Sequence, residues 1–496
     1  MALDVAPVRT ETGGPTPPPP VLPGPGPRRR RPETTRLLVR LHFLSGFLAA
    51  PIILSLAVTG ILFAWNPQIE SALHDKTLSA SSVDWAEPKP LSEQVEAARA
   101  EHPGWTVTAV TPAAPDAFEG RETTAVALAP PGGTASGFGH APGAVSVYVD
   151  PVTGEVTGEI VEDERPGEWL RNMHSSWRLG DNIAPLSELA ASWLLVSILT
   201  GIYLKWPTIR RSFVRAFSFR GARTPYARAN ALHTTLGLWL TVALLSLVGT
   251  GLTWTNFAGS RVDDLRATFS NSGPSLDASL PGGAPLSAPI GGAHNEHAEH
   301  NGGSDVPSDA SGFDAAAVLP QIDTVARSAE SAGLDGLVKY TPPTAEGKGW
   351  KAELRDTKWP LEPTTIAVDG NTGTVLDRVD WDEKPWMDRA TSAGIYFHQA
   401  TLFGIWTQLF LTALSIGVIV LIVAGYRMWW IRRPRGTLGV PPRVSGPLWK
   451  TVPVPMMVVF GLLAYALPTL AVSFLLYLVI ERIWRSVRRG RAATHA

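Results

Sequence analysis

Four histidines in this chain fall into two registered pairs. Leu41-His42 is followed by Gly46 and then by Thr59-Gly60, and Leu232-His233 is followed by Gly237 and then by Thr250-Gly251. The step from His42 to Thr59 equals the step from His233 to Thr250, 17 residues. His174 has Gly180 and Gly201 at +6 and +27, and His398 has Gly404 and Gly425 at the same two offsets. Neutral imidazole is a metal ligand, and two imidazoles on one iron fill both axial positions of a haem. Such ligation suits electron transfer better than oxygen binding. Four imidazoles in two registers therefore point to two bound haem b groups.

The elements that must position these residues are membrane helices. Phe43–Trp65, Pro185–Trp206, Leu232–Trp254 and Leu402–Ile431 are each long and apolar enough to cross a bilayer. A fifth apolar stretch, Val452–Ile480, has Pro468 in its middle. The formal net charge of −1 hides an asymmetry between loops. Pro207–Ala231 and Ile431–Lys450 hold several Arg and no acid, whereas Pro67–Ala184 and Phe257–Gln399 are rich in Asp and Glu. Positive-inside bias then places the N-terminus and both basic loops in the cytoplasm and the long acidic loops outside. Beside membrane spans, the basic loops read as topology signals rather than nucleic-acid contacts. The chain has no Cys, which excludes disulfides, thiolate-ligated iron–sulfur clusters and thioether-attached haem.

Each outer loop reads as a small α+β module. Leu91–Glu101 is helical, and Trp105–Thr111, Thr123–Leu128, Val145–Val149 and Glu155–Val161 are strands, with a tight turn at Asp150-Pro151-Val152-Thr153-Gly154. In the second module Phe313–Ala332 is helical, and Asp369-Gly370-Asn371-Thr372-Gly373 is the matching turn before a strand at Thr374–Val379. The pattern of span, outer module and span occurs twice, which predicts an internally duplicated chain. The second module also holds a Gly/Pro/Ser-rich insert, Ser270–Ser311; the spacing of His294, His297 and His300 within it would allow weak capture of Cu or Zn, but a solvated low-complexity loop is the better account of the cluster.

The expected architecture is a mainly α transmembrane bundle of four long spans plus a C-terminal hydrophobic hairpin, with two extracytoplasmic α+β modules. A disordered Pro/Arg-rich cytoplasmic tail covers 1–35. Helices follow at 36–66, 185–206, 232–256 and 391–431. The outer modules cover 67–184 and 257–390, and basic loops cover 207–231 and 432–451. A hairpin or fifth span covers 452–481, before a basic tail at 482–496. The hairpin satisfies the charge rule, because it returns the basic tail to the cytoplasm.

Repeats of the same orientation are related by an axis along the membrane normal, so equivalent residues share a depth. The expected pairs are His42 with His233 near the inner face, and His174 with His398 near the outer face. Gly46 and Gly237 lie one turn beyond their histidines and would let a flat macrocycle approach the backbone. Gly60, Gly201, Gly251 and Gly425, with no His one turn away, read as helix-packing glycines. Arg40 and Arg228 near the inner pair, and Arg171, Arg178 and Arg389 near the outer one, could meet haem propionates, but most read more simply as topology anchors. Trp65, Trp206, Trp254, Trp429 and Trp430 at span ends read as an interfacial belt.

The first and third spans, the turns at Tyr148–Glu155 and Ala367–Gly373, and the four histidines together resemble the PepSY-associated transmembrane family over about Arg36 to Arg433. The resemblance implies PepSY-like outer modules in a multi-pass protein of the bacterial inner (cytoplasmic) membrane, linked to iron uptake. It implies His42, His174, His233 and His398 as haem ligands, and a ferric-siderophore reductase-like oxidoreductase. No G-x-G-x-x-G follows a strand, so the electron donor would be membrane quinol or a separate reductase. Two other readings stand beside this one. PepSY modules resemble protease propeptides, so the chain would bind or regulate an extracytoplasmic peptidase or act as a sensor. Alternatively it would handle or transport metal or haem.

Overall fold

The structure is a computed structural model. It describes residues 32–80, 88–114, 122–133, 140–219, 223–269, 274–281, 315–355, 357–443 and 452–493. His294, His297 and His300, residues 1–31 of the tail expected over 1–35 and most of the insert lie outside the described residues; the last residues of that tail, from Glu33, are instead the first turn of a helix.

Four helices are long and apolar enough to span a bilayer: α1 (Glu33–Ala64), α6 (Pro185–Arg211), α8 (Pro225–Leu252) and α12 (Ile405–Arg432). Their shared core is built from small and aliphatic residues. Ala49, Ile53 and Ala57 repeat every four residues on one face of α1 and meet Leu411, Leu414 and Val418 of α12 and Leu244 of α8. Small side chains let helices approach closely where lipid offers no hydrophobic drive to association. α1 packs on α6 and α12, and α8 packs on α12 and α6.

Short helices connect the spans to the outer region: α2 (Asn66–Leu73) and α3 (Asp75–Leu78) after α1, α5 (Pro166–Ser176) before α6, α7 (Phe213–Phe217) after it, α9 (Asn256–Phe269) after α8, and α11 (Trp386–His398) before α12. The segment expected as one helix over 391–431 is therefore two. Ala400 (φ 68°) and Gly404 (φ 58°) hold left-handed backbone in the turn between α11 and α12, which ends the first helix at His398. The helix expected over Phe313–Ala332 begins instead as a 3-10 turn, Ala315–Gln321, containing Pro320. The α-helix proper, α10, is Ile322–Ser331, because Pro320 has no N–H to give to an α-helical bond.

The two outer modules are not separate. Their strands form one eight-stranded antiparallel sheet in the order β4-β3-β2-β1-β5-β6-β7-β8. The strands are β1 (Thr106–Thr111), β2 (Thr124–Ala129), β3 (Val145–Val149), β4 (Val156–Val161), β5 (Val338–Thr341), β6 (Trp350–Leu354), β7 (Thr365–Val368) and β8 (Val375–Val379). The two halves meet where Val110 pairs with Tyr340. One hydrophobic core spans the junction, with Val95, Val110, Val126 and Val147 of the first half beside Ile322, Val325, Trp350 and Ile366 of the second. Helix α4 (Leu91–Glu101) and α10 cover this face together, and Asp323 accepts the backbone N–H of Ser92. The expected turns match in detail. Asp150 Oδ1 accepts the N–H of Val152 and Asp369 Oδ1 that of Asn371, and Gly154 and Gly373 both sit at φ 73°. A left-handed position of this kind favours glycine.

On the sheet's other face, Leu78 of α3 packs against Ala125, Tyr148 and Ile160. Arg165 joins sheet to bundle there. It donates to Glu162, to Glu70 of α2 and to the Tyr148 hydroxyl, with 11% of its side chain exposed. A few residues along α5, Glu168 pairs with Arg171 and lies 3.9 Å from His140 Nε2. Pairing with Glu168 raises the pKa of His140 above its ordinary 6.5 against the opposing effect of burial. Burial alone would raise the Glu168 pKa, but the His140 and Arg171 partners hold it below the ordinary carboxylate value.

The C-terminal apolar stretch is two helices, α13 (Val454–Ala466) and α14 (Pro468–Ala493), bent by 117° at Leu467. The bend follows from Pro468, which restricts Leu467 to extended backbone (φ −126°, ψ 80°). Arg40, near the start of α1, donates to Pro441 O at 2.6 Å and to the Tyr477 hydroxyl at 3.1 Å. The chain before α13 and the middle of α14 therefore lie at the same end of the bundle. Thr469, at the bend, donates instead to Glu188 at the opposite end of α6. Glu188 is buried and also accepts the N–H groups of Phe257 and Ala258 at the start of α9. Negative charge is favoured at such a helix start.

Candidate functional site

The four histidines come together as two pairs. The rings of His42 (α1) and His233 (α8) have centroids 6.1 Å apart with planes at 83°. Those of His174 (α5) and His398 (α11) are 6.5 Å apart with planes at 81°. Seventeen helical residues separate His42 from Thr59, the residue that touches His174, so the pairs differ in depth by about 25 Å.

In every case Nδ1 is engaged by the protein. His42 Nδ1 meets Ser197 O at 3.0 Å, and His233 Nδ1 meets Leu421 O at 3.0 Å. A carbonyl only accepts, so both rings carry their proton on Nδ1. His174 Nδ1 meets Thr59 Oγ1 at 2.8 Å, and His398 Nδ1 meets Thr250 Oγ1 at 3.0 Å. Each threonine hydroxyl donates back along its own helix, Thr59 to Ser55 O and Thr250 to Ser246 O, which leaves it to accept from the imidazole. With Nδ1–H fixed in this way, Nε2 is the unprotonated ring nitrogen and the one able to bind a metal, as in metal-ligating histidines.

The glycines divide differently from the sequence expectation. A Cβ on Gly201 would stand 3.3 Å from His42 Cε1, and one on Gly425 would stand 3.6 Å from His233 Cε1. On Gly60 it would be 3.7 Å from His174 Cε1, and on Gly251 3.0 Å from His398 Cε1. These four are not simply helix-packing residues; each is the floor under one imidazole. The seats are local motifs. In the inner pair the accepting carbonyl is four residues before the glycine, Ser197 before Gly201 and Leu421 before Gly425. In the outer pair Thr and Gly are adjacent, Thr59-Gly60 and Thr250-Gly251. The threonine and glycine that follow His42 and His233 in sequence thus serve the other pair of histidines. Gly46 has no atom within 4 Å of a built Cβ, and Gly237 meets only Leu421 Cδ2 at 3.7 Å. Space therefore lies open beside the inner pair at Gly46.

These observations test the fit of haem. A metal held by two Nε2 atoms needs ring centroids about 6.3 Å apart, from two bonds of about 2.0 Å and about 1.15 Å from each nitrogen to its ring centre. Both pairs lie within a few tenths of an ångström of that value. Among the described residues no third His, Cys, Asp or Glu joins either pair. Among those residues each pair could therefore offer a metal two imidazoles and no more, which suits a group that brings its remaining donors with it. The residues present fit a bis-histidine haem at each position.

Several expected neighbours have other roles. Arg40 ties the α13–α14 segment to α1, Arg171 pairs with Glu168, and Arg178 lies over the Trp169 ring at 6.0 Å. Of the belt tryptophans, Trp206 and Trp430 are exposed at span ends. Trp65 instead donates to Thr412 of α12, and Trp254 lies 5.8 Å from the His398 ring. The accepting atoms Ser197 O and Leu421 O carried no sequence signal, because any residue type supplies a carbonyl.

A family model for the PepSY-associated TM region matches residues 39–432, and the chain belongs to this family. No curated protein matches the chain.

Proposed function

We propose that this member of the PepSY-associated transmembrane family is a di-haem b electron-transfer protein of the bacterial inner membrane that reduces extracytoplasmic ferric complexes, such as ferric siderophores, in iron acquisition. The observation that supports this reading most is the geometry of the two histidine pairs. His42 with His233, and His174 with His398, are spaced for one iron each. All four Nδ1–H groups are already satisfied by Ser197, Leu421, Thr59 and Thr250. Haem bound between such ligands supplies one-electron exchange between Fe(III) and Fe(II). The chain's own residues fix the rings and separate the two sites in depth. The loop charges support a cytoplasmic N-terminus, with the His42–His233 pair on the cytoplasmic side. Each ferric complex would take one electron at the outer side and leave as Fe(II). The electron would come from membrane quinol or a separate reductase on the inner side.

The test is reoxidation. Purified protein expressed with ample haem and reduced by dithionite should be reoxidised anaerobically by ferric citrate or a ferric trihydroxamate, with one Fe(II) appearing per haem oxidised. A coloured protein that neither complex reoxidises would refute the reductase activity while leaving the haem sites standing.

A further inference from the structure

We propose that the loop between β6 and β7 rests on the bilayer, with Trp359 seated in the interface beside the outer end of α12. Trp359 belongs to the extramembrane sheet by sequence, yet it reaches the bundle. Its backbone N–H donates to Leu402 O at 2.7 Å, in the turn that joins α11 to α12. Its ring lies 6.5 Å from the Phe403 ring. From that point down α12, the side chains of Ile405, Trp406, Leu409 and Phe410 are exposed. α12 is a span, so this exposed face is its lipid face, and Trp359 continues it upward onto the sheet domain.

The chemistry fits one occupant. Trp359 is 62% exposed and Trp406 is 73% exposed. Indole rings concentrate where one side of the ring meets hydrocarbon and the N–H meets headgroups. Lys358 and Pro360, on either side of Trp359, are exposed too. The consequence is mechanical. The loop holds the sheet to the turn that begins just after His398, so the bilayer itself helps fix the height of the sheet above the outer pair.

The absence of cysteine makes a clean test, because a single introduced thiol is the only one labelled. Full-length Trp359→Cys, Lys358→Cys, Trp406→Cys and Glu101→Cys are spin-labelled and placed singly in nanodiscs of phosphatidylethanolamine and phosphatidylglycerol. Trp406→Cys reports the lipid face of α12. Glu101 is exposed at the end of α4, across the sheet core, and reports water. Collision rates with oxygen, which partitions into lipid, and with a water-soluble nickel chelate are compared. At positions 359 and 358 nickel collision should fall several-fold below that at 101, with oxygen collision near that at 406. Lys358→Cys keeps Trp359 in place and decides the matter if the tryptophan variant is perturbed. Nickel collision at 358 equal to that at 101 would overturn the proposal. One chain per disc excludes burial by a second copy as the cause of protection.

Discussion

The ring of His398 lies directly on Gly251, so that a single added methyl group would stand 3.0 Å from Cε1. That contact is tighter than ordinary carbon packing, so Gly251→Ala must tilt the imidazole. Gly46 is the contrasting case, with no protein atom near a built Cβ. Both are helical glycines, and alanine alone would stabilise either helix by about 1 kcal/mol. Gly251→Ala is expected to alter one of two low-spin haem signals in electron paramagnetic resonance and to leave the other unchanged. Gly46→Ala should raise the melting temperature of haem-free protein but lower haem content by about half, if the open space beside it holds the macrocycle.

Thr250 and Thr59 orient the outer imidazoles, and valine would keep their shape while removing the acceptor. Each Thr→Val change leaves a buried Nδ1–H without its partner, at a cost of about 1–3 kcal/mol. Loss of such a supporting hydrogen bond weakens metal binding by about 10- to 100-fold. Haem titration of Thr250→Val should show this loss at one site only, with Thr250→Ser restoring it. Equal affinity in the valine variant would remove the threonine from the site.

The His140–Glu168 contact makes the junction between sheet and bundle pH-dependent. His140 has a raised folded pKa, so its contribution is fully present below pH 6.5 and is lost as pH rises through the raised value. Glu168 has a lowered folded pKa, so its contribution is present above the ordinary carboxylate pKa and is lost as pH falls through the lowered one. The melting temperature of wild type should therefore exceed that of His140→Gln at pH 6, and the difference should shrink as pH is raised through and beyond the folded His140 value. A difference that grows with pH would contradict the assignment.

Arg40 joins Pro441 to Tyr477, which requires the segment from α13 to α14 to leave and return at one end of the bundle. Single cysteines at Arg435 and Ala496 should therefore react with an impermeant maleimide from the same side of sealed vesicles. Reaction from opposite sides would mean a fifth full crossing.

Much of this organisation was legible in sequence, and the limits have physical causes. Long apolar runs marked the four spans, and alternation with Asp-x-x-x-Gly turns marked the strands, because both signals are local. The equal spacing of His42 and His233, and of His174 and His398, identified the pairs that lie together. The joined sheet was not legible. It depends on Val110 meeting Tyr340 across a long separation in the chain, and neither strand's pattern encodes its neighbour. The roles of the glycines were hidden for the same reason. Nothing one turn away on their own helices marks Gly60 and Gly251 as ring seats, because the rings they carry arrive from α5 and α11. Glu188 also gave no sequence signal as the acceptor that joins α6, α9 and α14.

Haem counted per chain tests the central claim most directly. Protein expressed with ample haem should show b-type absorption bands on dithionite reduction and bind two haems per chain. His233→Ala and His398→Ala should each retain about one, and the double variant should retain none. A colourless wild-type protein, or a double variant that keeps its full haem, would contradict the account.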